Sequence, residues 1–173
     1  MKDFRNYSLK AHNTFGIDVK CNRFLQYDDD FEAIEVAKIL RKSKQPYIII
    51  GEGSNLLLTK DFDGIVVRSG IKGYDFEEDY FCERMTCGSG EVWDDMVATS
   101  IKAGYYGMEN LSLIPGDVGA SAVQNIGAYG VEAHLRYHDS RECTLRTFYS
   151  HLIIFCYLHG NARGNSDWHS SYT

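Results

Sequence analysis

The sequence predicts an α+β fold built as two consecutive units. Three observations predict it. Between residues 19 and 67, short β-branched runs surround one amphipathic helix pattern. A second strand-then-helix pattern follows between residues 80 and 104. From there the chain is rich in glycine, at Gly104, Gly107, Gly116, Gly119, Gly127 and Gly130, which suits loops and close backbone approach more than regular structure.

The elements follow in order. Val19 to Tyr27 alternates loosely and reads as a strand. Asp29-x-x-Glu32 resembles a capping box with aspartate as the cap. The helix it opens is expected to bury Phe31, Ile34, Ala37 and Leu40, with Lys38, Arg41 and Lys42 near the negative end of its dipole. Pro46 closes that segment. Tyr47-Ile48-Ile49-Ile50 is short, apolar and β-branched, and reads as a buried strand. Leu56-Leu57-Leu58 and Ile65-Val66-Val67 read as two more strands, parted by Asp61-Phe62-Asp63-Gly64. The pattern pauses around Gly70 and Gly73. Residues 80–87 then suit a strand. Val92, Trp93, Met96, Val97, Ser100 and Ile101 fall at helical spacing before Gly104, a good C-terminal stop. Trp93 reads as core, and the pair Tyr105-Tyr106 as packing.

Composition narrows the function classes. The 173 residues are 44% hydrophobic and 24% charged, with only two prolines, so the chain is globular rather than fibrous or disordered. Its 24 acidic residues exceed its 18 basic ones, for a net charge of −6. That balance speaks against nucleic acid, whose phosphates call for clustered Lys and Arg, and against an anionic membrane surface. No run approaches the roughly 20 apolar residues of a membrane helix, and the first residues lack the apolar core of a signal peptide. A cytoplasmic location is expected. The five cysteines, Cys21, Cys82, Cys87, Cys143 and Cys156, form no Cys-x-x-Cys. They read as reduced, mostly buried thiols with no metal site.

Two glycine segments carry the functional signal. In Ile50-Gly51-Glu52-Gly53-Ser54-Asn55, flanking glycines permit positive φ and expose successive N–H groups. Such a nest suits a phosphate, and Ser54 and Asn55 add donors. The same residues also suit a plain tight turn between strands. The third glycine of the Rossmann fingerprint is missing, and no Gly-Lys-Ser/Thr follows. The second segment runs from Ile114-Pro115-Gly116-Asp117-Val118-Gly119 through Ala120-Ser121-Ala122-Val123 to Gln124-Asn125-Ile126-Gly127-Ala128-Tyr129-Gly130. Its small residues allow close approach to a ligand, and a short helix starting here would aim free N–H groups at an anion. Gln124 and Asn125 can read the polar edge of a ring. A closely packed helix-turn explains the same residues. Asp117 would repel a pyrophosphate if it pointed inward, so it is expected to point outward or to cap the helix.

Taken together, Asn13-Thr14-Phe15-Gly16, Gly51 to Asn55, Glu109-Asn110-Leu111 leading into Ile114-Pro115-Gly116, and Gln124 to Gly130 closely resemble the UDP-N-acetylenolpyruvoylglucosamine reductases. The resemblance covers about residues 1–133; Ala122 stands where many members have proline. It implies an FAD-binding domain of the vanillyl-alcohol oxidase type, with two α+β subdomains around FAD, incomplete in this chain. Residues 1–70 would form the first FAD-binding subdomain and 71–133 the start of the second. Backbone N–H groups of Gly51 to Asn55 and Ile114 to Gly119 would hold the pyrophosphate, and Gln124 to Gly130 would line the flavin side. In that family NADPH reduces FAD, and the reduced flavin gives hydride to the enolpyruvyl double bond of a UDP-sugar. A serine then protonates the enol that an arginine and a glutamate stabilise. The family's Tyr-Arg-x-Ser segment is absent; Arg146-Thr147-Phe148-Tyr149-Ser150 has the letters in the wrong order. The substrate-binding domain is expected to be absent too, so no catalytic residue is assigned.

The chain changes character near residue 133. Residues 1–133 carry a net charge of −7; residues 134–173 carry +1, no lysine and five of the six histidines. A domain boundary could produce such a shift, and so could an atypical tail read in a shifted frame; the second is expected. His134-x-x-x-His138 has helical-pair spacing, but Leu135 replaces the glutamate of a zinc-protease motif. His138, Asp139 and Ser140 are a bare co-occurrence without triad geometry. Two further readings stay open: a non-catalytic fragment that at most binds FAD, and a related FAD-dependent oxidase.

Overall fold

The computed structural model describes residues 1–78, 83–132 and 151–156. Its first sheet has four strands, β1 (Lys2–Ser8), β2 (Lys20–Tyr27), β3 (Tyr47–Ile50) and β4 (Phe62–Ser69), in the order β1-β2-β4-β3. β1 runs antiparallel to β2, while β2 and β3 both run parallel to β4. The crossover from β2 to β3 is made by α1 (Asp30–Lys42), as a parallel pair requires. Central β4 buries Gly64, Ile65, Val66 and Val67 in succession, the near-continuous burial of a strand covered on both faces. Leu25, Tyr27, Ile65 and Val67 meet α1 on one face; Phe24 and Val66 meet Leu9, Val19, Ile50 and Leu58 on the other.

α1 starts as the capping signal predicts. Asp29 accepts from the Glu32 N–H at 2.8 Å, and Glu32 accepts from the Asp28 N–H at 2.8 Å. Its buried stripe differs from the expected one. Ala33, Val36 and Leu40 face the sheet, while Phe31 and Ile34 are exposed. Two apolar stripes share the helix, and the smaller residues pack closest to the strands. β3 is also corrected. It lies at the sheet edge, with Tyr47 and Ile49 exposed and only Ile50 buried. Leu56-Leu57-Leu58 is not a strand: Leu58 is buried against the sheet's core while Leu57 faces out. β4 begins at Phe62, inside the expected separator.

β1 carries no apolar alternation and is held by cross-strand pairs instead. Arg23 forks onto Asp3 with donor distances of 2.8 and 2.6 Å, and Phe4, Tyr7 and Phe24 stack in succession. The Arg23 hydrogen bonds hold the Asp3 carboxyl below the usual carboxylate range. The pair lies at the sheet surface and is partly exposed, so Asp3→Asn is expected to cost about 1 kcal/mol or less in urea denaturation at neutral pH. Sign follows from the lowered pKa: the contribution exists above the unfolded-state value and fades as the pH falls through the folded one.

The second unit opens with β5 (Tyr74–Glu78) and β6 (Glu83–Gly88), an antiparallel pair. β6 also pairs with β9 (His151–Cys156), which falls within the atypical tail. Of the strand expected at 80–87, residues 80–82 lie outside the described residues. α2 (Trp93–Lys102) ends at Gly104, whose φ of +91° suits only glycine and whose N–H bonds the Ile101 carbonyl. The core of this unit gathers Met85, Cys87, Trp93, Met96, Val97, Tyr105, Met108, Leu111 and Val118. Trp93 and Tyr105 are buried as expected, the latter stacked on Phe76, but Tyr106 is exposed. Cys21 and Cys87 are buried as reduced thiols, and burial pushes the Cys21 thiol up. Among the described residues no helix is long and apolar enough to cross a membrane, and no cluster of His, Cys, Asp or Glu could hold a metal. The histidine pair and the His138-Asp139-Ser140 run lie outside the described residues.

Candidate functional site

The two glycine segments meet across one open cleft. The first leaves the C-terminal end of β3; the second leads into α3 (Val118–Gln124). The cleft is lined by Ile49, Ile50, Gly51, Glu52, Gly53, Ser54, Asn55 and Leu56 on one wall. Pro115, Gly116, Asp117, Ala120, Ser121, Gln124 and Ile126 form the other, with Trp93 beside them. Counted to its mouth, open solvent included, it holds about 550 Å³.

Close packing explains why glycine stands at these positions. A Cβ on Gly53 would fall 2.0 Å from the His12 carbonyl oxygen, and its φ is +82°. A Cβ on Gly51 would fall 2.9 Å from that of Ala120, so Ala120 packs on the first segment. Ser54 Oγ donates to the Pro115 carbonyl at 3.1 Å, and Asn55 Nδ2 to Gln124 Oε1 at 3.4 Å. Behind the first segment, Asn13 staples its own loop. Its Nδ2 donates to the Leu9 and Ile17 carbonyls, and its Oδ1 accepts from the Ile17 N–H. Thr14 Oγ1 then reaches the Gly53 carbonyl at 3.5 Å.

Backbone donors fit an anion at the first segment, whereas the first N–H groups of α3 itself do not. Among the described residues, the N–H groups of Glu52, Gly53, Ser54 and Asn55 have no protein acceptor, although Gly53 is buried. A buried N–H without a partner is costly, so this row is suited to a ligand's oxygens. At the start of α3 the donors are already spent. Val118 N–H bonds the Glu91 carbonyl, Gly119 N–H that of Ser89, and Ala120 N–H that of Asp117. The expected anion-binding helix end is therefore closed. Gly119 serves packing, since a Cβ there would fall 2.8 Å from that of Ser89.

Other expected site residues lie outside the cleft lining. Ile114 packs on the second core. Asn125 takes φ +46° at the end of α3 and donates to Glu132 at 2.8 Å. Gly127-Ala128 forms β7, paired with β8 (Val131–Glu132). Tyr129 and Gly130 between them have φ of +53° and +77°, the two positive values of a type I′ hairpin turn. Tyr129 is 90% exposed. Of Gln124 to Gly130, only Gln124 and Ile126 line the cleft.

Asp117 contradicts the expectation of an outward or capping side chain. It stands at the N-cap position of α3 but makes no cap bond, and it is buried. Its carboxylate accepts instead from Arg68 of β4, with Nη2 at 3.1 Å and Nε at 3.3 Å from Oδ2. Arg68 Nη1 in turn lies 3.5 Å from His12 Nδ1, and His12 Nε2 lies 3.3 Å from the Tyr7 hydroxyl. Burial and the adjacent guanidinium lower the His12 pKa. Neither Arg68 nor His12 belongs to a glycine motif. The available signal was an acid inside an anion-binding pattern, which needs a cation nearby.

Asp94 anchors the approach to the second segment. Its Oδ1 accepts from the Leu113 N–H and the Ser112 hydroxyl, both at 2.7 Å, and these bonds lower its pKa. Asp94→Ala is expected to lower Tm at neutral pH. The deficit should vanish as the pH falls through the lowered Asp94 pKa, because the native carboxyl is then protonated as well. Thermal melts across that range check it.

Over 131 residues the chain is 50% identical to UDP-N-acetylenolpyruvoylglucosamine reductase of Bacteroides fragilis, covering 74% of this chain and 39% of that protein. The protein of the same name from Pseudomonas aeruginosa is 42% identical over 147 residues, with 82% and 43% covered. The chain thus spans about two fifths of the length of these relatives. The crystal structure of UDP-N-acetylenolpyruvylglucosamine reductase from Thermus caldophilus superposes with a TM-score of 0.60 at 21% identity, covering 91% of this chain and 60% of that one; it supports the fold. The model of the family described as FAD binding domain matches residues 21–141, a span that takes in both walls of the cleft, and the chain belongs to that family.

Proposed function

We propose that this chain is the flavin-binding part of a UDP-N-acetylenolpyruvoylglucosamine reductase, with FAD held in the cleft between the two glycine segments. The observation that carries the reading is the row of unspent N–H groups from Glu52 to Asn55 on the cleft wall. They bind the pyrophosphate, and the Asn13–Thr14 brace behind Gly53 keeps them aligned before a ligand arrives. Ser54 and Asn55 bridge to the second segment, and Gln124 offers an amide to a ring edge. When bound, FAD supplies hydride-transfer chemistry; the protein supplies binding, orientation and shielding from water. In the intact protein NADPH is the reductant and the enolpyruvyl UDP-sugar the acceptor, in the cytoplasm, for peptidoglycan precursor synthesis.

The reading treats residues 1–70 and 71–133 as two FAD-binding subdomains. Residues 134–173, of which the family match still takes in those up to 141, are read as leaving the family's frame, which the abrupt loss of lysine and gain of histidine supports. Resequencing past codon 120 tests that part: a family-like continuation in another frame supports it, and none in any frame removes it.

A flavin titration tests the main reading. Trp93 lines the cleft, so FAD is expected to quench its emission saturably and to remain bound through gel filtration. A folded protein that leaves FAD free would overturn the reading. UDP-sugar reduction by these 173 residues alone is not expected, because they hold no Tyr-Arg-x-Ser segment and span about two fifths of the relatives' length.

A further inference from the structure

The carboxylate of Asp117 is misplaced for a site that binds an anion. It is 3% exposed, lines the cleft, and its Oδ2 would lie 3.4 Å from a Cβ on Gly51. An unneutralised charge there would oppose a pyrophosphate at the adjacent N–H row. Arg68 meets it with three N–H contacts of 3.1 to 3.4 Å, reaching across from the first sheet. Resting on the proposal that the cleft takes a dinucleotide, we propose that Arg68 is a positioning residue that keeps the cleft receptive to pyrophosphate by neutralising Asp117.

The surrounding groups are accounted for. Glu52 of the glycine loop adds negative potential at Asp117, and Lys72 adds positive potential. Lys72 is itself engaged by Glu91, whose carboxylate also accepts from the Gly73 N–H. His12 faces Arg68 from its far side. A guanidinium only donates, so His12 Nδ1 there is the acceptor and the ring is neutral. Arg68 is therefore the cation in direct contact with Asp117 among the described residues. Burial, with a smaller push from Glu52, holds the Asp117 carboxyl above its usual range, and Arg68 opposes that rise without cancelling it.

The experiment measures the FAD dissociation constant of the full chain from acid to alkaline pH, for the unmodified protein and for Arg68→Met, Asp117→Asn and the double variant. Arg68→Met is expected to bind FAD about 10- to 100-fold more weakly at alkaline pH. That loss should shrink as the pH falls, because the orphaned carboxyl takes up a proton. The double variant, which keeps His12, Glu52, Lys72 and Glu91, should recover to within about threefold of the unmodified protein, with no such pH dependence. Asp117→Asn should bind at least as tightly as the unmodified protein. A purely structural ion pair would weaken both single variants alike and leave the pH profile flat. A flat profile in Arg68→Met, or a double variant as weak as Arg68→Met, would overturn the proposal. If Arg68→Met does not fold, Asp117→Asn decides: equal or tighter binding supports it, weaker binding throughout overturns it. Failure of the unmodified chain to bind FAD would remove both readings at the first titration.

Discussion

Gly53→Ala is expected to destabilise the protein by about 3 kcal/mol or more and to abolish flavin binding. Two costs combine. The backbone at Gly53 has φ +82°, which an L side chain resists by roughly 1–2 kcal/mol. The added methyl would also sit 2.0 Å from the His12 carbonyl oxygen, and that carbonyl is backbone. Relief must therefore come from moving the loop, which withdraws the N–H row from the cleft. Gly73→Ala separates the two costs. Gly73 has φ +106° but nothing within 4 Å of its Cβ position, so only the conformational term remains, about 1 kcal/mol. Urea denaturation of both variants checks the pair. Equal losses would show that contact with His12 does not govern the loop.

Trp93→Ala is the second large effect, about 3–5 kcal/mol. Trp93 is 1% exposed and sits at the centre of the second core. Its Nε1–H donates to the Leu111 carbonyl at 2.8 Å, and its backbone N–H bonds the Gly116 carbonyl. The side chain thus fills the space under the second wall of the cleft while its backbone fixes that wall's turn. Trp93→Phe keeps most of the volume and loses the hydrogen bond, at about 1 kcal/mol. Against a total stability of about 5–15 kcal/mol, the alanine variant should populate unfolded chains measurably at physiological temperature. A urea midpoint shifted no more than that of Trp93→Phe would show that the core collapses around the cavity.

What the sequence disclosed depended on whether a residue's constraint was local. α1 and α2 were legible because capping and apolar spacing lie within one helix; Asp29, Glu32 and Gly104 act on their own neighbours. The glycine segments were legible because a positive φ or a tight approach leaves glycine as the residue that fits. β1 was invisible: Lys2 to Ser8 is polar and mostly exposed, and it is a strand because Asp3 and Tyr7 find Arg23 and Phe24. The choice between the Phe31–Ile34 stripe and the Ala33–Val36 stripe was likewise made by the sheet beneath. So was the edge position of β3, which depends on β4 inserting beside β2. In the cleft, Arg68 and Asp117 are 49 residues apart, and neither residue alone announces the other.

The first sheet draws on residues 2–69 only, whereas the second wall of the cleft begins near Pro115. At a synthesis rate of roughly 5–20 residues per second, the nascent first unit waits several seconds with Arg68 unmatched and the glycine loop open on one side. The cleft is thus a late part of the described fold to come together, followed only by the pairing of β9 with β6. A ligand seated in it would touch both halves and act as a clasp, adding stability that grows with its concentration over its dissociation constant. Cells short of that ligand would accumulate chains that are finished in sequence but still ajar, and proteases would find them at this seam first.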